Sequence, residues 1–151
     1  SIRAIAAAKG GAITIAGADL PDPPPPLPPV PVPFLLVDAC EFTACSAVGS
    51  MVQDGLGGAL YLEQADGSLR NSAFKQNVAS VQTNSTRSMG RGGAISTQSL
   101  RSHRSLELQA CSFVGNTAAG GVTHGGLGGA VAVVDTLLRV TECTFERNVA
   151  R

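Results

Sequence analysis

The pentapeptide GLGGA occurs twice, at positions 55–59 and 126–130. Glycines at this density can cradle a phosphate with their backbone N–H groups. That chemistry needs a helix N-terminus next, with Lys-Ser/Thr or a GxGxxG spacing. Neither follows either pentapeptide. The other reactive residues are equally dispersed. Cys40, Cys45, Cys111 and Cys143 form no CxxC, and His103 and His124 sit in the separate stretches RSHRS and VTHGG. A zinc ligand set or a nucleophilic triad would require them to cluster with one another or with a carboxylate. No catalytic residue, metal ligand or cofactor-binding residue is assigned, and no cofactor is expected.

The glycines instead mark a repeat. GGAITI, GGALYL, GGAIST and GGAVAV begin at Gly10, Gly57, Gly92 and Gly128. Each precedes a second block built on Phe: LLVDACEFTACSA (35–47), SLRNSAFKQNVA (68–79), LELQACSFVGNTA (106–118) and LRVTECTFERNVA (138–150). Phe42, Phe74, Phe113 and Phe145 are spaced 32, 39 and 32 residues apart. Five positions before each Phe lies Val37, Leu69, Leu108 or Val140; two before it, Cys40, Ser72, Cys111 or Cys143. Three after it come Cys45, Asn77, Asn116 and Asn148; five after it, an alanine. The unit is about 32 residues with insertions, and it occurs four times.

Apolar residues alternate within each short block, which is the period of a strand. No apolar stripe at helical spacing carries caps. Short strands repeated in register suit a coiling chain, each turn laying its strands parallel to the last. Equivalent residues then stack at about 4.8 Å. The expected fold is all-β: a right-handed parallel β-helix, or solenoid, of about four coils, forming one segment over residues 1–151. Asn77, Asn116 and Asn148 would form a ladder at a bend, and the four Phe rings a stack. Cys111 and Cys143 are expected to stack as reduced thiols, with Cys40–Cys45 the alternative bridge. The GGA strands would face inward with Ile13/Ile15, Leu60/Leu62, Ile95/Thr97 and Val131/Val133, and outward with Thr14, Tyr61, Ser96 and Ala132. Asp38 beside Arg70, and Glu107 beside Arg139, would pair on the surface.

FKQN, FVGN and FERN match FxxN, and the GGA blocks match GGA[ILV]. Alternation of these two motifs resembles the chlamydial polymorphic outer-membrane protein repeat. That repeat is similar in turn to the pectin-lyase-like right-handed β-helix class. The first coil departs from the pattern, since Thr43, Ala44 and Cys45 follow Phe42 where an Asn belongs. The resemblance implies a cell-surface β-helix.

Two features interrupt the repeat. PDPPPPLPPVPVP (21–33) holds all nine prolines and must leave the sheet as a polyproline II insert loop. Asn84-Ser85-Thr86 is a candidate N-glycosylation sequon in a polar connection.

The 11 basic and 11 acidic residues leave no net charge to attract nucleic acid. No apolar run reaches the roughly 20 residues that span a bilayer as a helix. The outward positions supply no carboxylate cluster of the kind polysaccharide lyases and hydrolases use. The reading is therefore a non-catalytic, extracellular or cell-surface structural or adhesive scaffold, read as a fragment of a longer chain. Its partners would be adjacent coils, neighbouring copies, cell-surface proteins or glycans. The alternative is a polysaccharide-binding or polysaccharide-cleaving β-helix. An isolated stack is expected to expose two open sheet ends.

Overall fold

The computed structural model describes residues 5–7, 11–16, 32–100 and 104–151. Gly10, His103 and the proline-rich stretch as far as residue 31 lie outside the described residues.

Every described element is a short strand. β1 (Ile5–Ala7) precedes a first coil of β2 (Ile13–Ala16), β3 (Phe34–Asp38), β4 (Glu41–Thr43) and β5 (Ser46–Gly49). The second coil contains β6 (Gly55–Leu56), β7 (Leu60–Glu63), β8 (Asp66–Arg70), β9 (Ala73–Lys75) and β10 (Val78–Val81). The third has β11 (Gly90–Arg91), β12 (Ile95–Gln98), β13 (Arg104–Gln109), β14 (Ser112–Val114) and β15 (Thr117–Ala118). The last has β16 (Val131–Val134), β17 (Thr136–Thr141), β18 (Thr144–Glu146) and β19 (Val149–Ala150).

Corresponding strands pair in parallel, giving the sheets β2-β7-β12-β16, β3-β8-β13-β17, β4-β9-β14-β18 and β1-β5-β10-β15-β19. A short β6-β11 pair forms a fifth. This is a parallel β-helix, right-handed as parallel crossovers are. Four stacked copies define three intervals, so the chain completes about three turns, slightly fewer than its four repeat units suggest.

The register follows the motif. Phe42 pairs with Phe74, Phe74 with Phe113, and Phe113 with Phe145. Val37, Leu69, Leu108 and Val140 form a second column. Ala47, Ala79, Ala118 and Ala150 form a third. Ring centroids of successive Phe residues lie 4.9, 4.9 and 4.8 Å apart with near-parallel planes. Stacking of this kind adds about 0.5–1.5 kcal/mol per pair beyond the burial itself.

The two ends differ. In the first coil Phe42 is 0% exposed and Val37 is buried, whereas in the last coil Phe145 is 48% exposed. Leu138, Val140 and Val149 are exposed beside it. The C-terminal coil is thus an open end of the stack, while at the other end β2, β3 and β4 are the edge strands of their sheets. The same end effect exposes Val133, an expected inward residue.

The outward face of the two middle GGA strands is also not a free surface, whereas Thr14 in the first is exposed as expected. Tyr61 and Ser96 are buried at 1% and 2%. Asp54, Leu56 and neighbouring residues of the connection after β5 fold back over this face. The connections vary in length and composition and do not obey the repeat, so strand alternation alone could not anticipate that cover.

Candidate functional site

The polar side chains of the repeat are concentrated at two bends. At the first, after each Phe strand, the chain turns through one left-handed residue: Ala44, Gln76, Gly115 or Arg147, with φ of 53°, 54°, 65° and 52°. The next residue occupies the ladder position. Asn77 Oδ1 accepts the Cys45 N–H at 3.0 Å. Asn116 Oδ1 accepts both the N–H and the Nδ2 of Asn77, at 3.0 and 2.9 Å. Asn148 does the same for Asn116. Each Nδ2 also donates back to a Phe carbonyl: Asn77 to Phe42, Asn116 to Phe74 and Asn148 to Phe113. The three asparagines are therefore structural, because the sharp bend leaves N–H and C=O groups that no strand partner reaches.

The second bend lies just before the Phe strand. Ala39, Asn71, Ala110 and Glu142 turn it in the left-handed region, at φ between 48° and 54°. There Ser72 Oγ accepts the Cys40 N–H at 3.1 Å, and Cys143 Sγ accepts that of Cys111 at 3.4 Å. This column of Cys and Ser is thus a second ladder. Serine and cysteine supply weaker acceptors to the same kind of orphaned N–H. The signal was present in the sequence as a column restricted to Cys and Ser. Cys111 and Cys143 stack as expected, and all four cysteines are free. Burial pushes the Cys111 thiol pKa up, with a smaller opposing effect from its hydrogen bond with the Ser72 backbone.

The GLGGA turns can now be assigned. Gly57, Gly92 and Gly128 adopt φ of 60°, 63° and 63°. The glycine after each has no room for a side chain: a Cβ on Gly58 would strike the Gly93 carbonyl, and one on Gly93 the Gly129 carbonyl. Their N–H groups are engaged along the solenoid, Gly57 to Arg91 O at 2.9 Å and Gly58 to Gly92 O at 3.2 Å. These glycines let the coil narrow; their donors are directed at the next coil and away from any phosphate.

On the outside, the expected surface pairs differ in detail. Asp38 lies beside Arg70 in register, but Asp38 accepts Asn71 Nδ2 at 3.0 Å. Arg70 instead reaches diagonally to Glu107 at 3.7 Å. Lys75 pairs with Glu41 at 3.2 Å, and the Thr43 hydroxyl and Lys75 together hold the Glu41 pKa below its usual value.

The most built outer feature is a cleft of about 350 Å³ lined by Val52, Gln53, Asp54, Leu56, Tyr61, Glu63 and Gln98. Asp54 accepts the Met89 N–H at 2.9 Å and pairs with Arg91 Nε at 2.9 Å. Burial raises the Tyr61 hydroxyl well above the ordinary tyrosine pKa. The negative charge of Glu63 and a hydrogen bond to it add to that shift. The cleft thus gathers two carboxylates and two amides beside Val52 and Leu56. Sequence reasoning missed it because Asp54 comes from a connection outside the repeat.

No family model, curated protein or solved structure matches the chain. Among the described residues, no three His, Cys, Asp or Glu side chains converge as a metal site. No described helix is long and apolar enough to cross a membrane. Asn84 is exposed, in a turn closed by the Ser85 N–H to Gln82 O bond at 2.9 Å.

Proposed function

We propose that this chain is a non-catalytic scaffold segment of an extracellular or cell-surface protein, with a structural or adhesive role. The observation that carries the reading is where the repeat places its polar groups. The amides of Asn77, Asn116 and Asn148 are directed along the solenoid axis into bonds with the adjacent coil. Such a design favours length and rigidity over a reactive centre. The FxxN and GGA[ILV] alternation supports the same reading through its similarity to the chlamydial polymorphic outer-membrane protein repeat and, more broadly, the pectin-lyase-like β-helices. Adjacent coils, neighbouring copies, and surface proteins or glycans are its partners in this account.

The polar cleft favours one second reading, a polysaccharide-binding or polysaccharide-cleaving β-helix. Its mix of Asp54, Glu63, Gln53 and Gln98 with Val52 and Leu56 suits sugar hydroxyls set against an apolar ring face. One experiment separates the two. The purified chain is incubated with neutral and acidic polysaccharides while new reducing ends and unsaturated uronides are followed. In parallel, its retention on intact cells is measured. Retention without turnover, undiminished by excess soluble polysaccharide, supports the scaffold; retention that soluble polysaccharide competes away supports the binding module. Turnover that is lost in Glu63→Gln, with folding unchanged, establishes the enzyme instead.

A further inference from the structure

The connections after β5, β10 and β15 stack on one another outside the solenoid, and they form a ridge. Ser85 holds it together: its hydroxyl donates to Met51 O at 3.3 Å, and its carbonyl accepts the Val122 N–H at 2.7 Å. The Thr123 hydroxyl donates to Thr86 O at 2.6 Å. Ser85 is fully buried, while Asn84 and Thr86 on either side of it are exposed. The ridge also exposes apolar side chains: Met51 at 53%, Val52 at 78% and Val122 at 70%. These belong to the two connections that flank the one carrying Asn84. An apolar ridge needs cover, and it straddles an exposed asparagine in an Asn-Ser-Thr triplet. The other four asparagines direct Nδ2 at a neighbouring coil.

We propose that Asn84 is an acceptor for an N-linked oligosaccharide, and that the first sugars of that glycan cover the Met51/Val52/Val122 ridge. The donor is an oligosaccharide carried on a lipid pyrophosphate in a secretory lumen. Asn84 Nδ2 forms a bond to the anomeric carbon of the first sugar. The bond from that carbon to the pyrophosphate oxygen breaks, and the lipid pyrophosphate leaves with its electron pair. The amide loses one proton. The buried Ser85 fixes the turn, which leaves Asn84 and Thr86 exposed on the folded chain.

The test is expression behind a cleavable secretory signal in a eukaryotic secreting cell. The chain has one sequon, so a single-step mobility shift is expected, removed by peptide N-glycosidase and absent in Asn84→Gln and Thr86→Ala. Both substitutions are on the exposed turn, and Thr86→Ala keeps the carbonyl that Thr123 uses. Material retained in the lumen is scored in the same way as secreted material. Wild-type chain that enters the lumen without a glycosidase-sensitive shift overturns the proposal, as does a shift that persists in Asn84→Gln. Enzymatic removal of the glycan should raise apolar-dye fluorescence in the wild type, and less so in a Val52→Ser/Val122→Ser variant. Unchanged fluorescence on removal contradicts the covering role. These outcomes do not depend on whether the chain is a scaffold or binds polysaccharide.

Discussion

Asn116→Ala removes more from this fold than any other exchange of one amide. Asn116 is 0% exposed and makes four bonds through its side chain. Oδ1 accepts from Asn77 N and Asn77 Nδ2, and Nδ2 donates to Phe74 O and Asn148 Oδ1. Alanine leaves two buried backbone groups, the Asn77 N–H and the Phe74 carbonyl, without that partner. At about 1–3 kcal/mol for each stranded group, the loss is about 2–6 kcal/mol. Asn148→Ala breaks bonds that water can replace, because Asn148 is only half-buried in the last coil; it should cost about 1 kcal/mol. Asn84→Ala, on the exposed turn, should cost almost nothing. The assay is urea unfolding followed by far-ultraviolet circular dichroism. With a slope of about 2 kcal/mol per molar, Asn116→Ala should lower the midpoint by about 1–3 M. Coincident midpoints for Asn116→Ala and Asn84→Ala would refute the ladder as a source of stability.

Other exchanges probe separate columns. Thr97 is buried, with its hydroxyl unpartnered among the described residues, in register between Leu62 and Val133; Thr97→Val should raise stability by about 1–2 kcal/mol in the same urea titration. Gly93→Ala should abolish cooperative unfolding, because its Cβ meets the Gly129 carbonyl and the Thr117 N–H. By contrast, Gly115→Ala has open space, with Gln76 Cγ 3.9 Å away, so only the left-handed φ penalises it, by about 1 kcal/mol. The raised pKa of Tyr61 means that the folded state disfavours its ionised form. Its contribution is complete below the ordinary tyrosine pKa of about 10 and is lost as pH rises beyond it. Thermal melts should therefore show an alkaline decline that Tyr61→Phe lessens, and an identical decline in both proteins would contradict the burial argument. Self-association through the open coil should weaken in Leu138→Lys/Val140→Lys by analytical ultracentrifugation; unchanged association would place the contact elsewhere.

Much of the fold was legible because a β-helix repeats its constraints at fixed intervals. Phe42, Phe74, Phe113 and Phe145 gave the register directly, and the residues three positions later gave the ladder, including the substitution of Cys45 for Asn in the first coil. The bends were less legible. Ala39, Ala44 and Ala110 adopt left-handed φ, which alanine does not favour locally. The coil imposes it, since their N–H groups must reach Arg70 O, Lys75 O and Thr141 O of the next coil. The cleft was not legible at all. Arg91 pairs in register with Leu56, two residues after Asp54, so the two meet diagonally beside the glycine turns, but this pair of charges does not recur between the other coils. Tyr61 likewise alternates as an outward residue in its strand, yet is covered by a segment outside the repeat.

The central claim is that residues one repeat apart lie directly on one another. The most direct measurement is nuclear Overhauser contact between the side chains of successive coils, with selectively labelled Phe and Asn. Stacked coils predict ring-to-ring contacts from Phe74 to Phe113 and from Phe113 to Phe145, across centroid distances of 4.9 and 4.8 Å. They also predict a slowly exchanging Asn116 side-chain amide in contact with Asn148. Phe rings in contact only with residues near in sequence, together with a freely exchanging Asn116 amide, would contradict the β-helix.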